Sequence, residues 1–158
     1  MAHNPVNHPL RPIYRALGAL AGIWLVLLGI VGIIVNAGDD FFATHTDQVL
    51  GQGLNMFGSI ISLLTGIIVL LVTIIGRNLD TEAYKFLGWG ILGVASYGLA
   101  TSRTDANFLG FSIVTVVVDY LVGLVLIVAG LYIKSAPSEQ GGERREEREG
   151  QARAKQSA

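Results

Sequence analysis

One carboxylate, Asp119, is the residue of this chain best placed to do chemistry. It follows Val116-Val117-Val118 in the middle of a long apolar stretch, and the second apolar stretch has no acidic counterpart. A charged carboxylate deep in a bilayer costs about 3 kcal/mol on insertion scales, so such residues face a protein interior and are functional candidates by default. Folding the third and fourth apolar stretches as an antiparallel hairpin sets Asp119 near the level of 93–97. Ser96 or Tyr97 can then hydrogen-bond it, Ser62 of the second stretch can contribute, and Thr115 lies one turn away on the same stripe. No Lys or Arg stands at that depth, because Lys85 and Arg103 occupy opposite ends of the third stretch. A buried acid without a cation is expected as the neutral, hydrogen-bonded carboxyl. Two roles are open: a cross-link between helices, or a group that carries a proton or coordinates a cation or substrate.

Other polar clusters point less far. Asp39, Asp40, His45 and Asp47 could bind a divalent cation, but their spacing matches no metal motif. The expectation is a hydrated loop with Phe41 and Phe42 dipping into the membrane interface. Gly51-Gln52-Gly53 leads into an apolar stretch rather than a nucleotide-binding unit, so it is not read as a phosphate loop. His3 and His8 lie in a Pro-containing arm and are expected to face solvent. The absence of cysteine removes disulfides and thiolate metal sites. No Ser/His/Asp arrangement and no pair of catalytic carboxylates is visible, so the reading is noncatalytic, with no metal and no cofactor.

Apolar stretches at 16–35, 54–75, 86–101 and 108–133 must position these groups. A hydrocarbon layer about 30 Å thick needs about 20 apolar helical residues, which three of the stretches supply. The third is shorter, but Lys85 can snorkel and extend the helix to about residue 84. Backbone groups in lipid must bond within their own segment, so each stretch is expected to be helical. With a mean hydropathy of +0.54 and 15% charged residues, the chain of 158 residues leaves little for a soluble domain. A net charge of -1 argues against nucleic acid as a partner. Val35-Asn36-Ala37 resembles a signal cleavage site, but the 20 apolar residues before it exceed an ordinary signal core of about 7–15, so the first stretch reads as an uncleaved helix.

The basic residues set an orientation. Arg11 and Arg15 precede the first helix, Arg77 and Lys85 lie in the second connection, and six more follow the fourth helix. Only Arg103 lies in the first or third connection. This asymmetry of ten to one puts both termini in the cytoplasm and 36–53 and 102–107 outside. Tyr14, Tyr84 and Tyr132 fall at the inner boundary, where an aromatic belt belongs. Residues 1–15 form a cytoplasmic arm, 16–133 the transmembrane domain, and 134–158 a charged cytoplasmic tail. The tail's five acidic and five basic residues from 135 onward come with no large apolar residue, so it is expected to be disordered.

Lipid offers no hydrophobic drive between helices, so small residues must make the contacts. Gly18 and Gly22 form a GxxxG pair in the first helix, with Gly29 and Gly32 near the same face. Asn55, Ser59, Ser62 and Gly66 recur along the second helix, and Gly90, Gly93 and Tyr97 along the third. Ser112, Thr115, Asp119, Gly123 and Gly130 recur along the fourth. Similar openings, Arg15-Ala16-Leu17-Gly18 with Lys85-Phe86-Leu87-Gly88 and Asn55-Met56-Phe57-Gly58 with Asn107-Phe108-Leu109-Gly110, suggest two hairpins of common design.

Short motifs also carry a resemblance. Asn7-His8-Pro9-Leu10-Arg11-Pro12-Ile13-Tyr14-Arg15 resembles the opening of a family of small actinobacterial membrane proteins, the domain of unknown function 4383. Ile75-Gly76-Arg77-Asn78 resembles its central connection. Asn107-Phe108-Leu109-Gly110-Phe111-Ser112 and Ala129-Gly130-Leu131-Tyr132 resemble the frame of its last helix. The resemblance covers residues 7–134 and implies a four-span protein of an actinobacterial plasma membrane. It carries over no catalytic or binding residues.

The expectation is therefore an all-α membrane protein, a four-transmembrane-helix bundle of two antiparallel hairpins with both termini cytoplasmic. Its leading function is that of a noncatalytic structural or accessory subunit acting through helix association, as a homo-oligomer or with a protein partner in membrane lipid. The GxxxG face of the first helix is its expected docking surface. The alternative is a small transport or proton-linked protein using Asp119. An intramembrane lipid or quinone site between the hairpins is a third reading.

Overall fold

The computed structural model describes residues 7–44 and 48–135. The expectations for His3, His45, Asp47 and the tail beyond residue 135 fall outside the described residues. Four helices form: α1 (Arg11–Val35), α2 (Met56–Ile75), α3 (Leu79–Thr101) and α4 (Ile113–Tyr132). The fold is all-helical apart from a two-residue ladder in a connection, where β1 (Gln48–Val49) and β2 (Gln52–Gly53) pair antiparallel, Gln48 opposite Gly53. Leu50 and Gly51 both take positive φ in the two-residue turn between them, the geometry that matches strand twist.

Helices α1, α2 and α4 are long and apolar enough to cross a membrane. Helix α3 is weaker in this respect because Asp80, Glu82 and Lys85 occupy its first two turns. Three helix starts differ by five residues from those expected. Helix α1 starts at Arg11 rather than 16, since Pro12 fits a first helical turn and polar residues extend a helix past the hydrocarbon. Helix α3 starts at Leu79 rather than 84 for the same reason. Helix α4 starts at Ile113 rather than 108 because Asn107 clamps the preceding residues into a turn. Its amide donates to the Phe111 carbonyl at 3.0 Å and accepts from the Phe111 N–H at 3.0 Å. Ser112 then caps α4, accepting from the Thr115 N–H at 3.3 Å. Asn107-Phe108-Leu109-Gly110 therefore opens no helix, unlike Asn55, which caps α2 by accepting from the Gly58 N–H at 2.9 Å.

Close backbone approach joins the helices into two antiparallel hairpins. Across α1 and α2, an added Cβ at Gly29 would sit 2.5 Å from the Leu63 nitrogen, and one at Gly66 would sit 2.8 Å from the Gly22 carbonyl. Across α3 and α4, a Cβ at Gly88 would meet the Gly123 carbonyl at 2.7 Å, and one at Gly130 the Thr81 carbonyl at 2.9 Å. The hairpins meet along α1–α4 and α2–α3. Gly18 opens the hollow that receives the Tyr84 ring. Tyr84 is thus fully buried and hydroxyl-bonded to Thr73, not part of a surface aromatic belt.

One end of the helices is tied by polar contacts. Arg15 donates to the Thr73 carbonyl and lies 3.6 Å from the fully buried Asp80 carboxylate. Arg11 donates to the Ile133 carbonyl at 2.8 Å, and Asn78 exchanges hydrogen bonds with Ser135. The α2–α3 turn is only Gly76-Arg77-Asn78, all with positive φ. The described part of the arm is docked here too: Asn7 donates to the Lys134 carbonyl at 3.0 Å. His8 packs edge-on to Tyr14 and Tyr132, which stack at 4.9 Å, so it is half-buried rather than free in solvent.

Overpacking a glycine contact of this kind costs about 1–3 kcal/mol. Gly29→Leu should lower the thermal unfolding midpoint of the purified protein in mild detergent. Gly93→Leu, where an added Cβ meets nothing within 4 Å, should not.

Candidate functional site

The far end of the helices fixes where Asp119 sits. Asn55 ties three segments together, donating to the Phe108 carbonyl at 2.8 Å and the Ala43 carbonyl at 3.1 Å while it caps α2. Asn36 donates to the Gly32 and Leu54 carbonyls at 2.7 and 3.0 Å. Phe41, Phe42 and Phe57 form one aromatic cluster above them. Thr115 is fully buried and donates to the Gly53 carbonyl at 2.6 Å, which locks the first turn of α4 to β2. Because α4 begins at Ile113, Asp119 lies six residues, about 9 Å, inside this end, short of the midpoint of the 20-residue helix.

Asp119 is 7% exposed and lines a cavity of about 220 Å3 between the two hairpins. Leu25, Phe111 and Asp119 form its buried floor. Ser62 and Thr65 of α2 and Gly90 of α3 line its sides, and Ile61, Phe86 and Val94 stand exposed at its mouth. The cavity exists because small residues are distributed unevenly. Gly66 draws α2 toward α1, and Gly88 and Gly123 draw α3 toward α4. Nothing comparable joins α2 to α3 at this level, so their seam stays open to the side.

The residues expected around Asp119 are only partly brought together. Ser62 shares the cavity. Ser96 instead donates to the Leu92 carbonyl at 2.7 Å and bonds the Tyr120 hydroxyl at 2.8 Å. Tyr97 donates to the Ala106 carbonyl, and Thr115 is taken by Gly53. Among the described residues, no hydrogen bond or ion pair reaches Asp119, so the expected hydrogen-bonded carboxyl is not found. Thr65 was missed, although its spacing of three from Ser62 is a helical-face signal. Asp80 was missed as well, because the acidic first turn of α3 reads as an exposed helix start rather than a buried partner for Arg15.

The packing glycines fall into two groups. Gly18, Gly22, Gly29 and Gly32 of α1, with Gly123 and Gly130 of α4, all pack within the fold. The GxxxG face of α1 is therefore spent on α2 and α3 and offers no surface to a partner. The α3 stripe behaves in the opposite way. Gly90 and Gly93 are exposed, and a Cβ at either meets nothing within 4 Å, so they are not contacts within the fold. Among the described residues, no cluster of three or more His, Cys, Asp or Glu side chains could hold a metal ion.

No family model, curated protein or solved structure matches the chain.

Because Asp119 has no bond to lose, Asp119→Asn should leave the unfolding midpoint in detergent unchanged. Thr115→Val should cost about 1 kcal/mol through loss of its buried hydrogen bond to the Gly53 carbonyl. Equal losses in the two variants would show that Asp119 is a structural cross-link after all.

Proposed function

We propose that this protein is a noncatalytic four-span subunit of the plasma membrane that works by associating with another membrane protein through the α2–α3 side. The observation that carries this reading is the exposed pair Gly90 and Gly93. Lipid rewards close backbone contact rather than apolar burial, and every other glycine inside these four helices is already packed against a neighbour. A bare glycine face beside an open seam is where a further helix can approach closely. The docking surface thus moves from α1, where the GxxxG pair is occupied, to α3.

In this reading α3 crosses the bilayer with the other three helices, its charged first turns reaching the headgroups. Arg11, Arg15, Arg77, Lys85 and Lys134 gather at the end tied by the Arg15–Asp80 pair, and Arg103 stands at the other. That asymmetry favours both termini in the cytoplasm. The resemblance of residues 7–134 to the small actinobacterial family supports the same topology. The proton-linked alternative draws less support, because Ser96, Tyr97 and Thr115 are engaged elsewhere and only Ser62 and Thr65 share the cavity with Asp119. A quinone or drug-sized ligand needs about 300 Å3 or more, above the 220 Å3 of this cavity.

The chain lacks cysteine, so single thiols can be placed at will. A thiol-linked photo-crosslinker at Gly93→Cys in native membranes should yield several-fold more protein adduct than one at Ile30→Cys or Leu124→Cys, which are exposed on other faces. Equal yields at all three positions would overturn the association reading.

A further inference from the structure

We infer that the cavity between α2 and α3 receives the side chain of a Lys or Arg carried on a transmembrane helix of a different protein. The inference rests on the association reading and names the chemistry of the partner. Asp119 lies on the cavity floor, 7% exposed and without a partner among the described residues. Ser62 and Thr65 line the same space, and the remaining walls are apolar. A carboxylate beside two hydroxyls in hydrocarbon is complementary to an ammonium or guanidinium group, which satisfies it by charge and by hydrogen bonding.

The chain cannot supply that cation itself. It has no Lys or Arg between Arg15 and Arg77, between Lys85 and Arg103, or between Arg103 and Lys134. Those flanking residues lie at the helix ends, where Arg15 faces Asp80 and Lys85 pairs with Glu82 at 2.8 Å. A second copy would bring the same empty stretches, so charge complementarity selects a foreign helix. Geometry agrees. A cavity of about 220 Å3 has the size of one long side chain rather than a whole helix. Gly90 and Gly93 leave room beside its mouth for the backbone that bears the side chain. With Asp119 about 9 Å inside the Arg103 end, the basic residue belongs in the corresponding half of the partner helix, where its stem can reach inward.

The test uses the full chain in phosphatidylcholine vesicles, labelled with a donor dye at Leu99→Cys. The probes are acceptor-labelled Leu/Ala helices of about 20 residues, one with a single Lys two turns from its end and one with Leu there. Energy transfer should report binding of the Lys helix about tenfold tighter than of the Leu helix, and Asp119→Asn should erase that preference. Helix content by circular dichroism checks that the variant is folded, and Gly90→Leu, which fills the approach while keeping the carboxyl in the chain, should weaken both probes. A Lys helix that binds no better than the Leu helix, or a preference that survives Asp119→Asn, overturns the inference. So does self-transfer between labelled chains that outcompetes both probes, since a second copy is then the occupant. If crosslinking at Gly93→Cys persists in native membranes while the Lys preference fails, association stands and only the cation is wrong. Loss of both removes both readings.

Discussion

Helices surrounded by hydrocarbon gain nothing by burying leucine against one another, so they hold together only where backbones can nearly touch. This constraint shapes the whole molecule. Gly22, Gly29 and Gly66 bring α1 onto α2, and Gly88, Gly123 and Gly130 bring α3 onto α4. Each such contact leaves no room for a Cβ, and many large apolar side chains point outward along every helix. The seam between α2 and α3 is the exception. Gly90 and Gly93 beside it pack against nothing in the fold, and beneath it lies a carboxylate without a partner among the described residues.

Polar groups do the remaining work at the two ends. At one, Arg15 connects α1 to the end of α2 and to Asp80 at the start of α3, while Asn78 holds Ser135 just after α4. At the other, Asn55, Asn36 and Thr115 bind the connections to the helix ends through backbone carbonyls. A buried polar group that is hydrogen-bonded is cheap to keep and expensive to orphan. These amides and hydroxyls therefore fix the helix ends, and with them the depth at which Asp119 enters the seam.

Much of this was legible in the sequence, for reasons that separate cleanly. Apolar length reveals that helices exist, because hydrocarbon forces internal backbone bonding. It misplaces their ends wherever a side chain intervenes: nothing in the apolar run 108–112 warns that Asn107 will bond both backbone groups of Phe111. Asp119 stood out because a carboxylate is costly in lipid. Its surroundings did not, because hydroxyls in apolar helices readily bond the carbonyl four residues back, as Ser96 and Thr101 do, and so are unavailable to a neighbour. The glycines spaced along α1 and α4 lie against neighbouring helices inside the fold, which leaves the α1 face unavailable to a partner. On α3 glycine spacing marked the wrong face, since Gly88 and Gly98 pack inward while Gly90 and Gly93, the residues expected to make contact, meet nothing in the fold.

The central claim is that α3, the least apolar of the four helices, crosses the bilayer and carries its open face into lipid. Labelling intact cells with a membrane-impermeant maleimide, on single-cysteine variants at the two ends of this helix, addresses it directly. The account predicts that Arg103→Cys reacts from outside while Arg77→Cys reacts only after the membrane is opened. Reaction of both positions from the same side would contradict it.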